Sequence, residues 1–476
     1  MATLSLAGLD ARPVVIDDPA LQRLTARLRL PPLLPGDAGF DVASRLWNGM
    51  IPHRPGLVVQ PRGAADVMAC LELAREKRVL LSVKGGGHNV AGTAVADGGL
   101  LLDMSRMRGV FVDRAARTAR VQAGCILGDV DAETQVHGLA AVLGFVSETG
   151  VAGLTLGGGF GYLTRRFGWT VDTLLEAEVV TADGKVRRAA ADENPELFWA
   201  LRGGGGNFGV VTSFLFRLFE VGPKVTAGLV VFDGARTDEV LACLAELGGA
   251  PRELTCACTM RTAPPVPFLP RDFHGKPMIA VVVCHSGTPE QARNDLAPIR
   301  ALGKPVADLV VERPYVEQQR ILDATQPTGM HYYWKSEYFS RLAPELRAVV
   351  QARAEAQTSP MSQLAFFHLG GALAERKPDD GAVGNRDAAY VFNVGGSWRP
   401  DDPAAEKHRA WVRDTWEAIR PFSTGGVYVN FQSADEGEDR LRAAYGKNLE
   451  RLERVKKQYD PENLLRVNRN IRPAGA

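Results

Sequence analysis

Cysteine and long apolar runs are both scarce in this chain, and each scarcity excludes a class of protein. Six cysteines among 476 residues are too few for a disulfide framework, so reduced thiols are expected. No apolar run is long enough to span a bilayer, and the first residues lack the basic and apolar segments of a secretion signal. These absences predict a cytoplasmic protein with no membrane partner.

An excess of charge of one sign is also missing, because 56 Lys and Arg residues balance 55 Asp and Glu residues to a formal net charge of +1. No basic block stands out that would follow a phosphate backbone, so we exclude nucleic acid as a partner. Cys256 and Cys258 form a C-x-C pair, but no second His or Cys pair follows at finger-like spacing. We interpret them as alternate positions on a strand and predict no metal.

Glycine is abundant instead, with 50 residues that are clumped at positions 85–87, 157–159 and 203–206. Glycine adopts positive φ without steric cost, and such segments turn successive N–H groups toward one anion. Three clusters in one half of the chain predict a large ligand that carries phosphate.

Coarse patterns of hydrophobicity divide the chain. Before about residue 222, helical and strand patterns alternate, including a hairpin with Asp183 and Gly184 at its turn. After it, apolar strand patterns predict an antiparallel sheet with helices, and the last segment predicts a helix that returns to the first lobe. The predicted fold class is therefore α+β with two lobes.

Residues 204–209, G-G-G-N-F-G, satisfy the dinucleotide fingerprint G-x-G-x-x-G. That fingerprint requires a strand before it and a helix after it. Here a helical pattern precedes the glycines and a strand pattern follows them, so we reject a Rossmann assignment.

Two other segments have the composition of phosphate loops. In residues 84–89, K-G-G-G-H-N, a strand leads into three glycines, and His88 and Asn89 follow. Residues 147–161, SETGVAGLTLGGGFG, hold six glycines among fifteen residues together with Ser147 and Thr149. An isolated histidine after glycines commonly caps neighbouring amides, so His88 alone does not establish a function.

Together, these long segments resemble the PCMH-type FAD-binding domain of the vanillyl-alcohol oxidase superfamily. The tail, with Y-V-N-F at 428–431 and then AAYGKNLERLERVKKQYDPENLLRVNRNI, is similar to the berberine-bridge-enzyme-like branch. The resemblance covers residues 45–220 and 425–472. It implies a split FAD domain at 1–221, an inserted substrate domain at 222–424 and a C-terminal element at 425–476 that completes the FAD domain.

The resemblance also implies that His88 forms a covalent bond to the 8α-methyl group of FAD. Many relatives add a second bond from a cysteine, but Val146 occupies that position here. We therefore predict a single tether, and we interpret Cys125 as a buried apolar thiol. The residues expected to contact the cofactor are His88, Lys84, Gly85, Gly86, Gly87, Asn89, Ser147, Thr149, Gly150, Val151, Gly153, Gly157, Gly158, Gly159, Gly161, Tyr162, Val210, Asn468 and Asn470.

Tyr428 of the Y-x-N element resembles the tyrosine that reaches the substrate side of the flavin, so we predict that it is the catalytic base. A free tyrosine has a pKa of about 10, and Lys335 with Tyr333 in the segment HYYWKSE is expected to assist it. An aromatic strand that packs into a core explains that segment equally well. His368 and Tyr390 are further candidates.

The predicted function is oxidation of an alcohol or phenol-type small molecule, with hydride transfer to flavin N5 and reoxidation by O₂ to hydrogen peroxide. The resemblance places Val151 near the flavin carbon that meets oxygen, where a small side chain leaves a path. Two alternatives stay open: a flavin dehydrogenase or natural-product tailoring enzyme with another acceptor, and a flavin-binding protein without turnover. The expected state is a monomer or homodimer.

Overall fold

The first half of the chain forms small sheets flanked by helices. The computed structural model describes residues 4–475. The strands are β1 Leu4–Ala7, β2 Pro13–Ile16, β3 Leu57–Val59, β4 Leu81–Lys84, β5 Leu100–Asp103, β6 Val110–Asp113, β7 Thr118–Gln122, β8 Leu139–Ala140, β9 Leu174–Val180, β10 Val186–Ala190, β11 Val210–Arg217 and β12 Phe219–Glu220. The helices are α1 Asp18–Arg27, α2 Phe40–Ser44, α3 Ala64–Lys77, α4 Leu127–Gln135, α5 Val151–Leu156, α6 Thr164–Phe167 and α7 Pro195–Leu201.

Two sheets carry the parts of this half that matter for the site. A parallel sheet has the order β3-β5-β4, and an antiparallel sheet has the order β10-β9-β11-β7-β6. The predicted hairpin is confirmed, since β9 and β10 pair with Val186 opposite Val180 and Gly184 has a φ of +79° at the turn. β4 leads directly into the first glycine cluster.

The second half is dominated by one antiparallel sheet, as predicted. Its strands are β13 Lys224–Asp233, β14 Leu254–Thr262, β15 Pro277–His285, β16 Ala307–Asp308, β17 Val311–Pro314, β18 His331–Phe339, β19 Gln363–His368 and β20 Tyr390–Trp398. Its helices are α8 Thr237–Glu246, α9 Pro289–Asp295, α10 Ala297–Ala301, α11 Tyr315–Gln319, α12 Pro344–Glu355 and α13 Ala405–Ile419. The order is β16-β13-β15-β14-β19-β20-β18, and β17 also pairs with β13.

The two faces of this large sheet have different partners. Because side chains alternate along a strand, Cys256, Cys258 and Met260 of β14 enter one core together with helical residues such as Leu346 and Val412. This confirms the strand interpretation of the C-x-C pair. The opposite face of β14 carries Ala257, Thr259 and Arg261 and turns toward the first half.

The tail returns to the first half through α14 Glu438–Tyr445 and α15 Leu449–Tyr459. Leu452 and Val455 are buried in the same core as first-half residues. Buried Lys456 donates through Nζ to Asp460 at 2.7 Å and to the Asn207 carbonyl at 2.8 Å. The boundaries at residues 221 and 424 stay predictions. Among the residues described, no helix has the length and apolarity needed to cross a bilayer.

Candidate active site

A cavity of about 750 Å³ lies between the glycine clusters and the large sheet. We call the glycine side the floor; its cavity-lining segments fall within residues 85–89, 149–157 and 205–211. We call the sheet side the roof; it consists of the cavity-lining residues of β13, β14, β15, β18, β19 and β20. The volume is in the range of sites that enclose a cofactor or a drug-sized ligand.

The floor depends on two glycines that meet backbone to backbone. A Cβ added to Gly86 would lie 2.5 Å from the Gly150 nitrogen, and one added to Gly150 would lie 2.3 Å from the Gly86 nitrogen. Neither has a positive φ, so the requirement is for space rather than for an unusual backbone conformation. The two predicted phosphate loops therefore form one continuous backbone surface.

The third glycine cluster also reaches the cavity, through Gly205 and Gly206, and Gly209 lines the cavity three residues later. As predicted, helix α7 precedes it and strand β11 follows it, which excludes the Rossmann arrangement. Asn207 anchors the tail here: its Oδ1 accepts from the Ile471 N–H at 2.9 Å, and its Nδ2 donates to the Arg469 carbonyl at 3.1 Å.

His88 lies at the cavity wall with its ring held by stacking. Its ring centroid is 4.3 Å from that of Trp47, which in turn stacks on Tyr332 at 3.8 Å. Its Nε2 is buried and has no hydrogen-bond partner among residues 4–475. Burial lowers the pKa of His88 to about 4, so its imidazole is neutral at pH 7. The ring therefore presents an uncharged, unpaired nitrogen, which suits a bond to a cofactor.

Val146 occupies the position at which many relatives carry a second tethering cysteine, and it lines the cavity. Cys125 is buried in the first-half core, its Sγ donates to the Gly109 carbonyl at 3.6 Å, and burial raises the pKa of its thiol to about 12.

Eleven of the residues expected at the cofactor line this cavity. They are His88, Gly85, Gly86, Gly87, Asn89, Thr149, Gly150, Gly153, Gly157, Val210 and Asn468. With the backbone surface, the neutral His88 and the enclosed volume, this set fits FAD.

Other residues expected at the cofactor do not line this cavity. Lys84 points away and donates to the Ala43 carbonyl, with Asp103 at 3.3 Å. Ser147 is engaged by Asp323, which accepts from its N–H at 2.8 Å and from its Oγ at 2.6 Å. Val151 is fully buried in the first-half core.

Five further residues expected at the cofactor are also absent from the cavity wall. Tyr162 packs edge-on against Phe145 at 4.6 Å and does not line the cavity. Gly161 has no room for a side chain, because a Cβ there would lie 1.9 Å from the Leu143 carbonyl oxygen. Gly158, Gly159 and Asn470 are also absent from the cavity wall.

Tyr428 lines the cavity, and its phenol oxygen accepts two hydrogen bonds. The donors are the Gly159 N–H at 3.1 Å and Asn430 Nδ2 at 2.8 Å. Burial raises the pKa of Tyr428, while these two donors oppose that rise because they favour the phenolate. The ring is fixed between Phe160 and Trp169.

Tyr333 and Lys335 face away from the cavity, contrary to the expectation that they assist the base. The Tyr333 hydroxyl donates to Asp435 Oδ2 at 2.6 Å, and Lys335 Nζ donates to Asp435 Oδ1 at 2.8 Å. Since side chains alternate along β18, Trp334 between them points into the cavity. The alternation was visible in the sequence, but the face that meets the cavity was not.

The further candidates His368 and Tyr390 are also structural. His368 Nε2 lies 2.8 Å from Arg165 Nη1, and burial together with that charge lowers the pKa of His368 to about 3. The Tyr390 hydroxyl donates to the Leu244 carbonyl at 3.3 Å. Neither residue lines the cavity.

Sequence reasoning missed several cavity residues, mostly in the roof. They include Trp334, Thr259, Arg261, Gln363, Asn393 and Asn430. Only Asn430 carried a signal, because it is the asparagine of the Y-x-N element.

Comparisons with known proteins agree with this geometry. Residues 55–190 match the family described as FAD binding domain, and residues 427–472 match the family described as berberine and berberine like. An FAD-linked oxidoreductase of Dictyostelium discoideum is 32% identical over 90% of this chain and 91% of its own length. The (R)-6-hydroxynicotine oxidase of Paenarthrobacter nicotinovorans is 32% identical over 93% of this chain and 97% of its own length.

A solved structure shares the fold. The crystal structure of 6-hydroxy-D-nicotine oxidase from Arthrobacter nicotinovorans superposes with a TM-score of 0.84 at 30% identity, covering 93% of this chain and 98% of that one. The agreement extends through both lobes and the tail. The chain therefore belongs to the berberine-bridge-enzyme-like branch of the vanillyl-alcohol oxidase superfamily and is an FAD-linked oxidoreductase.

Proposed function

We propose that the enzyme oxidises the CH–OH group of a small molecule to a carbonyl and passes both electrons to O₂, so that R₂CHOH and O₂ give R₂CO and H₂O₂. FAD, when bound, supplies N5 as the hydride acceptor and reacts with O₂. The observation that carries this proposal is that Tyr428, whose phenol oxygen accepts from two fixed donors, lines the same cavity as His88 and the two glycine loops.

In this proposal Tyr428 removes the hydroxyl proton of the substrate. A phenolate oxygen accepts up to three hydrogen bonds, and the Gly159 N–H and Asn430 Nδ2 supply two of them. The third position is then available to the substrate hydroxyl. The fixed donors favour the phenolate when it forms, and the rigid ring holds its oxygen for proton transfer.

We propose that His88 would tether the cofactor through a bond from a ring nitrogen to the 8α carbon. The methyl group and the imidazole N–H would each lose one hydrogen, and O₂ would accept both to give H₂O₂. The low pKa of about 4 supports this role, because only a neutral imidazole has a lone pair for the bond. Val146 offers no thiol for a second bond. An electron-poor imidazolyl substituent makes the ring a better hydride acceptor.

Val151 was expected to leave a path for O₂ beside the flavin, but its side chain is buried in the first-half core. The residues of α5 that reach the cavity include Ala152 and Gly153, and a Cβ on Gly153 would meet nothing within 4 Å. A dehydrogenase would show negligible reoxidation when the reduced enzyme is mixed with oxygen in a stopped-flow instrument.

The test of the proposed function is the variant Tyr428→Phe, which keeps the ring and removes the base. We expect kcat to fall by about 100-fold or more, with FAD still bound. In the wild type, kcat/KM should rise with pH through the alkaline range, since the pKa of Tyr428 is raised and the phenolate is the active form. Tyr428→Phe should lose that rise.

The matched control is Tyr390→Phe, which removes a buried hydroxyl outside the cavity and should keep turnover within about twofold. Peroxide release from a panel of alcohols gives the rates. Full turnover by Tyr428→Phe with flavin bound would show that Tyr428 is not the base.

A further inference from the structure

The cavity wall carries charge of only one sign. Arg261, Arg313 and Arg469 line it, and among the residues described no Asp or Glu does. A cleft lined by positive groups and apolar walls raises the local concentration of anions.

Two of the three arginines are occupied by backbone carbonyls. Arg469 Nη2 donates to the Ser433 carbonyl at 2.6 Å and also to the Gln432 carbonyl. Arg313 Nη2 donates to the Leu309 carbonyl at 2.8 Å. Arg313 is also distant along the sheet, because it pairs with Val225 at the start of β13, far from the end where Arg261 lies.

Arg261 differs from both. All three arginines have a buried Nε without a partner, but Arg261 is the one of the three whose guanidinium makes no hydrogen bond and no ion pair within residues 4–475. Partial burial lowers the pKa of Arg261, because desolvation disfavours the charged form. A guanidinium has five N–H donors in a fixed fork that matches a carboxylate. The Nε of Arg261 is buried without a partner, while its two Nη groups keep some exposure and bond to no protein atom among the residues described.

The neighbours of Arg261 on the same face are amides and a hydroxyl. Arg261 pairs with Gln363 across β14 and β19, and Thr259 lies two residues before it. Gln363 Oε1 accepts from the Thr259 hydroxyl at 3.2 Å, and Asn393 Oδ1 on the next strand is buried without a partner. We call Thr259, Arg261, Gln363 and Asn393 the roof patch.

The rest of the roof is apolar, so the roof patch is a local exception. The apolar residues around it are Leu229, Val231, Ala280, Val282, Ala365 and Phe367. Leaving a buried polar group unpaired is unfavourable, and more so for a charged one. A ligand that satisfies the patch would remove this cost on binding.

We propose that the substrate carries a carboxylate, which pairs with the Arg261 guanidinium in the roof while its CH–OH group faces Tyr428. Asn393 Oδ1 accepts a hydrogen bond from a hydroxyl or N–H of the same molecule. The enzyme is thus an oxidase of hydroxy acids with an apolar body. This inference rests on the proposed function for its reaction, but the recognition of a carboxylate is measurable without turnover.

The experiment uses the holoenzyme and matched pairs of acids and amides. Benzoate, phenylacetate and cyclohexanecarboxylate are titrated against benzamide, phenylacetamide and cyclohexanecarboxamide, with the flavin absorbance as the signal. We expect at least one acid to bind at least tenfold more tightly than its amide, with a Kd that rises with salt. Arg261→Gln should bring acid and amide within about twofold, and Arg261→Lys should keep part of the preference.

The control is Arg399→Gln, which removes the same charge from an exposed side chain that pairs with Asp401 and should leave the preference unchanged. Equal binding of acids and amides by the wild type, or no binding of any acid, would overturn the inference. A preference for acids that persists in Arg261→Gln would also overturn it. Loss of FAD from Arg261→Gln would overturn it as well, since Arg261 would then bind the cofactor. Failure to release peroxide from any alcohol would break only the proposed function.

Discussion

The floor of the cavity is built of backbone, whereas the roof is built of side chains. Gly86 and Gly150 touch through their main chains, and no side chain fits between them. The roof is one face of a pleated sheet, where Trp334, Arg261 and Asn393 each project from a different strand. A backbone surface suits a cofactor that does not change, while side chains set which substrate is accepted without altering the fold.

The largest effect should come from breaking the floor. Gly86→Ala places a Cβ 2.5 Å from the Gly150 nitrogen, and backbone on both sides cannot yield. We expect a loss of about 3 kcal/mol or more in the free energy of unfolding and little bound FAD. The ratio of flavin to protein absorbance and the Tm measure both.

Gly249→Ala is the matched control for this variant, because its Cβ would meet nothing within 4 Å. It should change the free energy of unfolding by no more than about 0.5 kcal/mol. Normal flavin content in Gly86→Ala would show that the floor tolerates side chains.

A smaller effect is expected from His88→Ala, since the cavity and the glycine loops remain. The wild-type chain should keep one FAD after denaturation, visible as added mass and as colour in the precipitate. His88→Ala should release all its FAD and turn over about tenfold more slowly, which corresponds to about 1.4 kcal/mol in the barrier. A wild-type mass equal to that of the bare chain would disprove the tether.

The smallest effects should separate the two faces of β18. Trp334→Leu removes a ring from the cavity wall and should raise KM by about fivefold to tenfold. Tyr333→Phe removes only the bond to Asp435 on the other face, so it should cost about 1 kcal/mol of stability and leave kcat/KM within about twofold. A large change in kcat/KM for Tyr333→Phe would show that Tyr333 contributes to catalysis after all.

The same contrast explains which of the predicted cofactor residues line the cavity. Eleven of the cofactor residues line the cavity, because runs of glycine mark close backbone approach wherever they occur. Ser147, Val151 and Tyr162 lie in or next to the same segments, but their side chains do not line the cavity. Val151 points into the core from α5, Ser147 is held by Asp323, and Tyr162 packs against Phe145. A glycine-rich composition indicates that a segment is a ligand-binding loop, but it does not indicate which side chains of the segment face the ligand.

By itself the sequence determined the α+β class, the glycine loops, His88 at the exit of the first loop and the absence of a thiol at Val146. These are local properties, readable from residue type and spacing. Only the tertiary structure decided that Trp334 rather than Tyr333 or Lys335 meets the cavity, and that Arg261 stands there without a partner. Alternation along a strand defines two faces, but the layers that pack on the sheet decide which face is buried by helices and which covers the site.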